Sequence, residues 1–334
     1  MTEASQSKGG PQGTVEALCQ AVYPSMAMLA GAQLDLFTRL EAGGRMGLEQ
    51  LALALDVDDR RLRPLLFALV NAGLLQVAAD ESFSNSPDAD RLLVRGRDGF
   101  MGDNHELWAD LWKASLQTAA SIRSGSPQAR HEFTSMPEAE LEAFLRGLHS
   151  GALRDGRSFA RRFDLSSCVD LLDLAGGSGG FAIGLAQAVA GVQVTVAELP
   201  RVTAITRRCV DEVGLADRIR VIAADLTREP LQGAFDVAMV RNFIQVLSEA
   251  EAVAVLRHLF PALRPGGDIY ISGDIIDNDR TTPAETVAFS LVFINLYESG
   301  QAYTESEYAG WLAAAGFVNV ERLDDDTMRG RVAE

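Results

Sequence analysis

The residues best suited to chemistry form a glycine-rich loop near the middle of the chain. The loop Gly177-Ser-Gly-Gly-Phe-Ala182 follows a short apolar run and fits the G-x-G-x-x-G/A pattern of a nucleotide-binding turn. Glu198 comes 21 residues after Gly177, where an acid that binds ribose hydroxyls is expected. The pattern fits a nicotinamide dinucleotide as well as S-adenosylmethionine, because both need glycines that let the backbone approach the ligand.

Three further features favour S-adenosylmethionine. Asp173 ends the strand before the loop, where its carboxylate suits an ammonium group and would repel a pyrophosphate. Asp225 ends a later strand and can accept a hydrogen bond from an adenine amino group, with a helix N-cap as its alternative role. The turn at 263–267, Leu-Arg-Pro-Gly-Gly, leads directly into another strand. Together these features point away from a dinucleotide.

The second half of the chain alternates short apolar segments with helical stretches. That order predicts an α/β fold with a Rossmann-like, doubly wound and mainly parallel sheet, and a ligand at the carboxyl ends of its strands. A last strand at 327–333 is left open, because that segment is poorly apolar. The six strands predicted from the apolar segments are 169–174, 194–198, 219–225, 235–242, 269–274 and 318–323.

The first half of the chain shows helix periodicity instead. Residues 15–39 predict a largely buried helix, and two short amphipathic helices at 48–55 and 58–72 lead into a small hairpin. Helix, helix and hairpin outline a winged helix, but the segment has no basic stripe. We therefore expect it to serve in packing or dimerisation rather than in DNA binding. Two more helices are predicted around 106–122 and 138–162.

Six segments along the chain match one known family pattern. They are 51–66, Asn71-Ala-Gly-Leu-Leu75, 173–180, Ala197-Glu-Leu-Pro200, Asp225 and Ala314-Ala-Gly-Phe317. Over nearly its whole length the chain thus resembles class I methyltransferases of the plant caffeate and bacterial secondary-metabolite O-methyltransferase type. The resemblance implies a mainly α winged-helix dimerisation domain before a catalytic domain. The regions we expect are a disordered start at 1–13, a dimerisation domain at 14–100, connecting helices at 101–165 and a catalytic domain at 166–334.

The resemblance also implies a site for S-adenosylmethionine. In the family's pattern the acid and glycines of the loop line the methionine part, Glu198 binds the ribose, and Asp225 with its neighbour binds the adenine. Arg241 falls where a lysine often lies near the cofactor. The cofactor-binding residues predicted in this way are Asp173, Gly176, Gly177, Gly179, Glu198, Asp225, Leu226 and Arg241.

The catalytic base of the family is missing from this sequence. Its O-methyltransferases use a histidine just after the fourth strand to remove the hydroxyl proton, but Gln245 takes that place here and Val246 that of the adjacent acid. Glutamine can orient an acceptor but cannot take its proton. The two glutamates that support the histidine elsewhere fall near Gly273 or Asp274, and at Ala302. We interpret this as the loss of most of the acid–base apparatus.

The missing base predicts an acceptor that needs no deprotonation. Methyl transfer from a sulfonium requires a lone pair, proximity and desolvation, and a thioether sulfur has no proton to lose. Our first hypothesis is methylation of a thioether or thiol sulfur, as in the family members that S-methylate methylthiohydroxybutyrate toward dimethylsulfoniopropionate. The second is O-, N- or C-methylation of an aromatic metabolite. The third is a cofactor-binding homologue that no longer methylates.

The acceptor site implied by the resemblance is mainly apolar and aromatic. Its predicted residues are Trp112 (or Trp108 one turn earlier), Leu148, Asn242, Phe293 and Tyr297. His149 is a candidate substitute base from another helix, and its alternative role is helix packing. A small acidic acceptor would need an arginine for its carboxylate, for which Arg146 and Arg241 are the candidates.

Composition excludes several other classes of protein. The length of 334 residues allows two domains, and the net charge of −16 argues against nucleic-acid binding. The three cysteines and four histidines lack the spacing of metal ligands, so no metal is expected. No apolar run is long enough to cross a membrane. We expect a cytoplasmic homodimer that acts on a small molecule.

Overall fold

A computed structural model describes residues 13–97, 99–101, 104–131, 133 and 135–334. The start predicted to be disordered, 1–13, lies outside these residues except for Gly13. The chain divides into two compact units, one ending at Trp108 and the other beginning at Ala109. The division falls inside a helix, His105–Ser115, and the domain limits expected from the sequence stay a prediction.

In its described residues the first unit has five complete helices and a hairpin. The helices are α1 (Thr14–Gln33), α2 (Leu36–Gly43), α3 (Leu48–Leu55), α4 (Asp59–Asn71) and α5 (Pro87–Leu93). Strands β1 (Leu75–Val77) and β2 (Phe83–Asn85) pair antiparallel between α4 and α5. Asp58 begins α4 by accepting a hydrogen bond from the backbone nitrogen of Arg61 at 3.0 Å. The predicted helix, helix and hairpin are all present.

The helix predicted at 15–39 differs from the structure in two ways. It is two helices, because Asp35 takes a left-handed φ of 52° between α1 and α2. It is also not largely buried, since Val15, Leu18 and Tyr23 of α1 are 74%, 69% and 63% exposed. These side chains belong to an apolar stripe on α1 that the described part of its own chain leaves uncovered.

The second unit is built on a seven-stranded sheet. Its elements are α6 (His105–Ser115, which contains the division), α7 (Thr118–Ser124), α8 (Glu138–Arg162), β3 (Asp170–Leu174), α9 (Gly180–Ala188), β4 (Gln193–Glu198), α10 (Thr203–Glu212), β5 (Ile219–Ala223), β6 (Phe235–Arg241), α11 (Glu249–Leu259), β7 (Leu263–Ser272), β8 (Ile275–Ile276), α12 (Ala284–Leu296), β9 (Tyr303–Thr304), α13 (Glu305–Ala315), β10 (Val318–Asp324) and β11 (Thr327–Arg331). The strand order is β10-β11-β7-β6-β3-β4-β5. The five strands from β7 to β5 in this order are parallel, and β11 pairs antiparallel with β7.

This topology confirms the predicted doubly wound, mainly parallel sheet, with three differences at strand ends. The strand left open at 327–333 exists as β11. The predicted turn at 263–267 lies inside β7, where Gly266 has a φ of 74° and the register with β6 shifts. β5 ends at Ala223, so Asp225 lies beyond the strand instead of ending it.

Helices cover both faces of the sheet, which explains why the central strands are apolar throughout. Residues of α11 and α13, such as Leu256 and Leu312, fill the core on one face. Residues of α8, α9 and α10, such as Phe159, Phe181 and Ile205, fill the core on the other.

Helices α8 and α9 approach each other through glycines. A Cβ atom at Gly156 would stand 2.1 Å from the carbonyl oxygen of Phe181, and one at Gly184 would stand 2.1 Å from that of Leu153. No side chain fits at such distances, so the two backbones are in direct contact. Because α9 begins at the glycine loop, this contact fixes the loop against α8.

Candidate active site

The carboxyl group of Asp173 is buried at the C-terminal end of β3, with 1% of the residue exposed. Neither of its oxygens forms a hydrogen bond of normal geometry with the described residues, although the backbone N–H of Ala182 acts to lower its pKa. Burial raises the pKa of Asp173 to about 7, with the positive charge of Arg241 opposing the shift and the charge of Glu198 adding to it. A Cβ atom at Gly176 would stand 2.5 Å from Asp173 Oδ2, so only glycine fits beside this acid.

Glu198 lies at the same edge of the sheet, because it ends β4 and β4 pairs in parallel with β3. Its Oε1 accepts a hydrogen bond from the backbone nitrogen of Gly177 at 3.1 Å, and its Oε2 accepts one from that of Leu199. Burial raises the pKa of Glu198 to about 7 despite these hydrogen bonds. The carboxylate predicted to bind ribose is therefore tied to the glycine loop.

Positive charge is scarce around these two acids. The guanidinium of Arg241, at the end of β6, acts on Asp173 electrostatically, but its Nη1 pairs with Asp155 Oδ2 of α8 at 3.1 Å. A ligand with its own positive charges would compensate the buried carboxylates. S-adenosylmethionine fits, since it carries an ammonium and a sulfonium group and has ribose hydroxyls for Glu198. When bound, it supplies an electrophilic methyl group.

Asp225 and Leu226, predicted to bind adenine, have other contacts in the structure. Asp225 Oδ1 accepts a hydrogen bond from the backbone nitrogen of Thr227 at 3.1 Å, and Oδ2 lies 3.1 Å from Arg228 Nε. These contacts hold the turn at 226–229, where no helix begins, so Asp225 is not the helix N-cap of the alternative. Leu226 is 3% exposed within the core, and its carbonyl oxygen lies 2.7 Å from His258 Nδ1. Adenine binding by this pair stays a prediction.

His149 lies on α8 against the glycine loop. Its Nδ1 is 2.9 Å from the hydroxyl of Ser178, between Gly177 and Gly179, whose φ values of 57° and 76° are left-handed. Burial lowers the pKa of His149, and the positive charge of Arg146 lowers it further. These contacts place a neutral imidazole where it supports the loop, so its role as a substitute base stays a prediction.

Both arginines considered for an acceptor carboxylate are already paired. Arg146 Nη2 lies 2.7 Å from Glu212 Oε1, and its Nε donates to Glu142 Oε1 at 3.0 Å. Arg241 has its pair with Asp155. Each guanidinium therefore already has a carboxylate partner, although Arg241 uses only Nη1 in its pair.

Gln245 lies in a short 3-10 helix, Ile244–Val246, directly after β6, and is 2% exposed. Its Nε2 donates to Asn242 Oδ1 and to Asp274 Oδ2, both at 3.3 Å. Asn242 turns the chain at this point with a left-handed φ of 51°. Gln245 Oε1 has no hydrogen-bond partner in the described part of the chain. The amide therefore presents a buried, unpaired acceptor atom.

The interpretation that most of the acid–base apparatus is lost needs correction at Asp274. This residue lies just after β7 and keeps a carboxylate in contact with Gln245. Burial raises the pKa of Asp274 to about 6, against the hydrogen bond from Gln245. The hydroxyl of Tyr308 on α13 is buried nearby and has no partner among the described residues. At Ala302 the acid is indeed absent, and its backbone nitrogen donates to Ser290 Oγ at 2.9 Å.

The predicted acceptor residues Phe293 and Tyr297 belong to a longer row of aromatic rings. The centroids of these two rings are 6.3 Å apart, and Phe289 continues the row 5.4 Å from Phe293 along α12. In the other direction Phe133 lies 6.3 Å from Tyr297 and 5.3 Å from Phe144 of α8. Burial raises the pKa of Tyr297 to about 12. We call these five side chains the ring row.

The ring row reaches the segment of Gln245 at Gly300. A Cβ atom at Gly300 would stand 3.1 Å from the carbonyl oxygen of Gln245, 3.1 Å from the Cβ atom of Tyr297, which follows α12, and 3.2 Å from that of Phe293. The remaining predicted acceptor residues are less buried, since Trp112 is half-buried on α6 and Leu148 is 37% exposed. The alternative Trp108 packs against the core of the first unit.

A histidine that the sequence did not single out for a role adjoins the ring row. The ring of His131 is edge-on to Phe133 and Phe144, at centroid distances of 5.9 and 5.2 Å. Its Nε2 lies 2.9 Å from Asp110 Oδ2, and its Nδ1 is buried without a partner in the described chain. His131 and Tyr297 both line a cavity of about 390 Å³.

Sequence reasoning missed the roles of Asp274, the Asp110–His131 pair and the part of the ring row outside α12. A signal for Asp274 was present, because a carboxylate directly after a buried strand lies at the edge where ligands bind. The ring row had no local signal, since Phe133 and Phe144 are distant in sequence from Phe293.

Known proteins match this chain in both sequence and fold. The family pattern described as the O-methyltransferase domain matches residues 121–318, more than half of the chain, and the O-methyltransferase dimerisation domain matches 16–95. The chain belongs to the O-methyltransferase family. This methyltransferase is 30% identical over 317 residues to the tetracenomycin polyketide synthesis 8-O-methyl transferase TcmO of Streptomyces glaucescens, with 93% of this chain and 92% of that protein covered. It is 31% identical to the acetylserotonin O-methyltransferase of Mus musculus molossinus, with 90% and 82% covered.

A solved structure confirms the fold of the methyltransferase. Human N-acetylserotonin methyltransferase in complex with S-adenosylmethionine superposes with a TM-score of 0.86 at 21% identity, with 98% of this chain and 100% of that chain covered. The methyltransferase is thus an S-adenosylmethionine-dependent enzyme. No helix in its described residues has the length and apolarity to cross a membrane. The same residues include no group of three or more His, Cys, Asp or Glu side chains arranged to hold a metal ion.

Proposed function

We propose that the methyltransferase transfers a methyl group to a hydroxyl oxygen of an aromatic acceptor. The observation that carries this proposal is Gln245 Oε1, a buried amide oxygen without a hydrogen-bond donor among the described residues. An acceptor atom left unpaired in this way costs about 1–3 kcal/mol. A substrate hydroxyl would remove that cost by donating its hydrogen. The names of both relatives described above, each an O-methyltransferase, support the same choice.

The ring row supports an aromatic acceptor. Its members lie between α12 and α8, and Gly300 adjoins both the Cβ atoms of Phe293 and Tyr297 and the backbone carbonyl of Gln245. Aromatic pairs prefer offset or edge-to-face contacts and gain about 0.5–1.5 kcal/mol beyond buried area. A planar acceptor packed there would have its hydroxyl within the region of Gln245.

The thioether acceptor, our first hypothesis from the sequence, has less support. A thioether has no hydrogen to donate, so Gln245 Oε1 would stay unpaired on binding. Neither relative described above is named for a sulfur acceptor. An aromatic amine would satisfy the same oxygen, so nitrogen and carbon acceptors of the second hypothesis belong in the test.

Each part of the site has a task in such a reaction. Asp173 and Glu198 would compensate the positive charge of the donor and bind its ribose. The ring row would hold the acceptor ring and exclude water, which strengthens the electrostatic interactions inside the site. Gln245 Oε1 would accept the hydroxyl hydrogen and so direct the oxygen toward the methyl group.

The acceptor atom can be tested with three naphthalenes of one shape. Purified enzyme is incubated with methyl-labelled S-adenosylmethionine and 2-naphthol, 2-naphthylamine or 2-(methylthio)naphthalene, and with an aliphatic methylthio hydroxy acid. We expect label in the ether formed from 2-naphthol. Label in a sulfonium product instead would overturn the proposal in favour of sulfur. Tight donor binding without any labelled product would support the third hypothesis, a homologue that does not methylate.

The role of Gln245 can be tested separately. Gln245→Met keeps the volume of the side chain but removes Oε1, and we expect about a tenfold lower kcat with 2-naphthol. The dissociation constant for S-adenosylmethionine, measured by calorimetry, should not change. Gln193→Met is the matched control, because Gln193 is exposed at the opposite end of the sheet, at the start of β4. Equal rates for Gln245→Met and wild type would count against the proposal.

We also propose that the methyltransferase is a homodimer with the domain limits expected from the sequence. The dimerisation-domain match at 16–95 includes α1, whose apolar stripe is exposed at Val15, Leu18 and Tyr23. Covering such a stripe is favourable at about 25 cal/mol per Å². Leu18→Glu should therefore shift the protein toward monomer in light scattering, whereas a dimer that survives the change would place the interface elsewhere.

A further inference from the structure

We propose that Asp274 is the general base of the reaction, taking the hydroxyl proton that the family's histidine takes elsewhere. Gln245 would hold this carboxylate on one side and the acceptor hydroxyl on the other. The inference rests on the proposed hydroxyl acceptor. It adds a catalytic residue whose carboxylate touches the reacting oxygen.

The fold brings Asp274 to the edge of the sheet where the reaction takes place. β6 and β7 are parallel neighbours, with Arg241 opposite Ser272, so the segments of Gln245 and Asp274 leave the sheet side by side. β3 is the neighbour of β6 on its other side, and it ends at the glycine loop. Ligands of doubly wound folds bind at this edge.

One oxygen of Asp274 is available for a ligand. Oδ2 accepts from Gln245 Nε2 at 3.3 Å, and within the described chain Asp274 has no further hydrogen bond and no ion pair. Gln245 Oε1, on the same amide, also lacks a donor. A hydrogen-bond donor is therefore missing next to both side chains, and a hydroxyl group would provide it. A thioether or an ether would leave both oxygens unpaired.

The surroundings of Asp274 suit a base that works near neutral pH. Burial raises the pKa of Asp274 to about 6, so it binds a proton more strongly than an ordinary carboxylate but is mostly ionised at pH 7. The other titratable groups that face its segment are the Tyr308 phenol from α13 and Asp326, whose carbonyl accepts from the backbone nitrogen of Gly273 and whose carboxylate pairs with Arg162.

The step balances in atoms and charge. The acceptor O–H bond breaks, its proton goes to Asp274, and its electron pair stays on oxygen. That pair forms the new O–CH₃ bond while the carbon–sulfur bond of the sulfonium breaks and its electron pair stays on sulfur. Asp274 then releases the proton to solvent.

Two histidines compete with Asp274 for this role. His149 contacts the glycine loop of the donor region, where its Nδ1 lies 2.9 Å from the hydroxyl of Ser178 and next to Gly180. His131 is the stronger competitor, because Asp110 holds its Nε2 and leaves Nδ1 unpaired among the described residues. Its contacts, however, are with Phe133 and Phe144 rather than with the strand ends. His131 therefore becomes one arm of the experiment.

The experiment compares Asp274→Asn, Asp274→Glu and His131→Asn with wild type on 2-naphthol and on 4-nitrophenol, which is far more acidic. We expect Asp274→Asn to lower kcat on 2-naphthol about 100-fold or more, since a positioned base contributes about 10²–10⁴-fold. KM and the dissociation constant for S-adenosylmethionine, measured by calorimetry, should stay close to wild type. At pH 8 the rate on 4-nitrophenol should fall much less, because that acceptor is already ionised. Asp279→Asn, an exposed acid in the turn after β8, is the matched control.

The pH profile gives a readout that a purely structural role would not move. The wild-type rate on 2-naphthol should fall as pH drops through about 6, the pKa to which burial raises Asp274, and Asp274→Asn should lack this dependence. Asp274→Glu keeps a carboxylate, so it should retain the pH dependence and part of the rate. This variant tests the assignment even if Asp274→Asn folds poorly.

Three results would count against the assignment, each in a different way. A wild-type rate for Asp274→Asn on 2-naphthol overturns the base while leaving hydroxyl methylation in place. If only His131→Asn loses both the rate and its fall at acidic pH, the general base is the Asp110–His131 pair instead. Failure of the wild type to form any ether overturns the proposed function itself.

Discussion

The donor region around the glycine loop and the acceptor region around Gln245 both bury polar groups that lack something, but the donor region lacks positive charge and the acceptor region lacks hydrogen-bond donors. Asp173 and Glu198 are acids whose pKa burial raises because little positive charge compensates them. Gln245 and Asp274 present oxygens that lack a hydrogen-bond donor. The donor region thus selects a cation because its buried negative charge is uncompensated. The acceptor region selects a nucleophile that carries a hydrogen because the lone pairs of its oxygens lack a hydrogen-bond donor.

We expect the largest effect from a substitution that removes negative charge from the donor region. Asp173→Asn should raise the dissociation constant for S-adenosylmethionine about 100-fold or more, because losing one member of a buried charge pair costs about 3–5 kcal/mol. The ligand-free variant should melt at a higher temperature than wild type, since an uncompensated buried carboxylate is gone. Calorimetry and thermal denaturation measure the two effects, and an unchanged dissociation constant would refute the assignment of Asp173.

Gly176→Ala tests the same region by volume instead of charge. The added Cβ would stand 2.5 Å from Asp173 Oδ2, so we expect a loss of about 1–3 kcal/mol in the free energy of unfolding and weaker donor binding. Gly310→Ala is the control, because nothing lies within 4 Å of its Cβ position in α13 and alanine favours a helix by up to about 1 kcal/mol. Urea denaturation measures the free energy of unfolding of both variants. If Gly176→Ala were as stable as wild type, the loop would be able to relax around the added atom.

The pH dependence of donor binding should be smaller. Asp173 and Glu198 have a pKa of about 7 in the ligand-free protein, and a bound cation favours their ionised forms. Affinity for S-adenosylmethionine should therefore fall from pH 8 to pH 6, by about tenfold for each of the two carboxylates that must be ionised to bind it. In the ligand-free protein the same raised pKa values give stability at low pH that is lost as pH rises through about 7. Calorimetric titrations with equal affinity at both pH values would contradict these shifts.

We expect the smallest effect from a substitution in the acceptor region. Gln245→His places an imidazole beside Asp274, where it can take a proton, and we expect a several-fold higher kcat with 2-naphthol. The dissociation constant for S-adenosylmethionine should stay at the wild-type value, because the donor region is untouched. A lower rate would mean that the amide of Gln245 is required for orientation and that the site cannot use a histidine.

The donor region could be predicted from the sequence because its parts are local. Residues 173–180 form one continuous turn, and the alternating strands and helices fix which edge of the sheet it occupies. Asp225 shows the limit of this reasoning. The strand β5 ends two residues earlier than predicted, and the carboxylate of Asp225 holds a turn.

The acceptor region resisted prediction because its contacts join distant segments. The ring row pairs Phe133 and Phe144 with rings of α12, and no periodicity in either segment announces that pairing. The contact between Gln245 and Asp274 depends on a 3-10 helix after β6 and on the exit of β7 beside it. Family resemblance placed Gln245 after the strand and a supporting acid near Gly273 or Asp274, but it did not predict that the carboxylate of Asp274 contacts the amide.

The backbone contact between α8 and α9 limits how the enzyme can open. Gly156 and Gly184 leave no space for any side chain between the helices, and His149 of α8 holds Ser178 within the glycine loop. The part of α8 from His149 to Gly156 and the loop are therefore coupled whenever the donor enters or its demethylated product leaves. A hinge between α8 and the loop cannot lie at this contact.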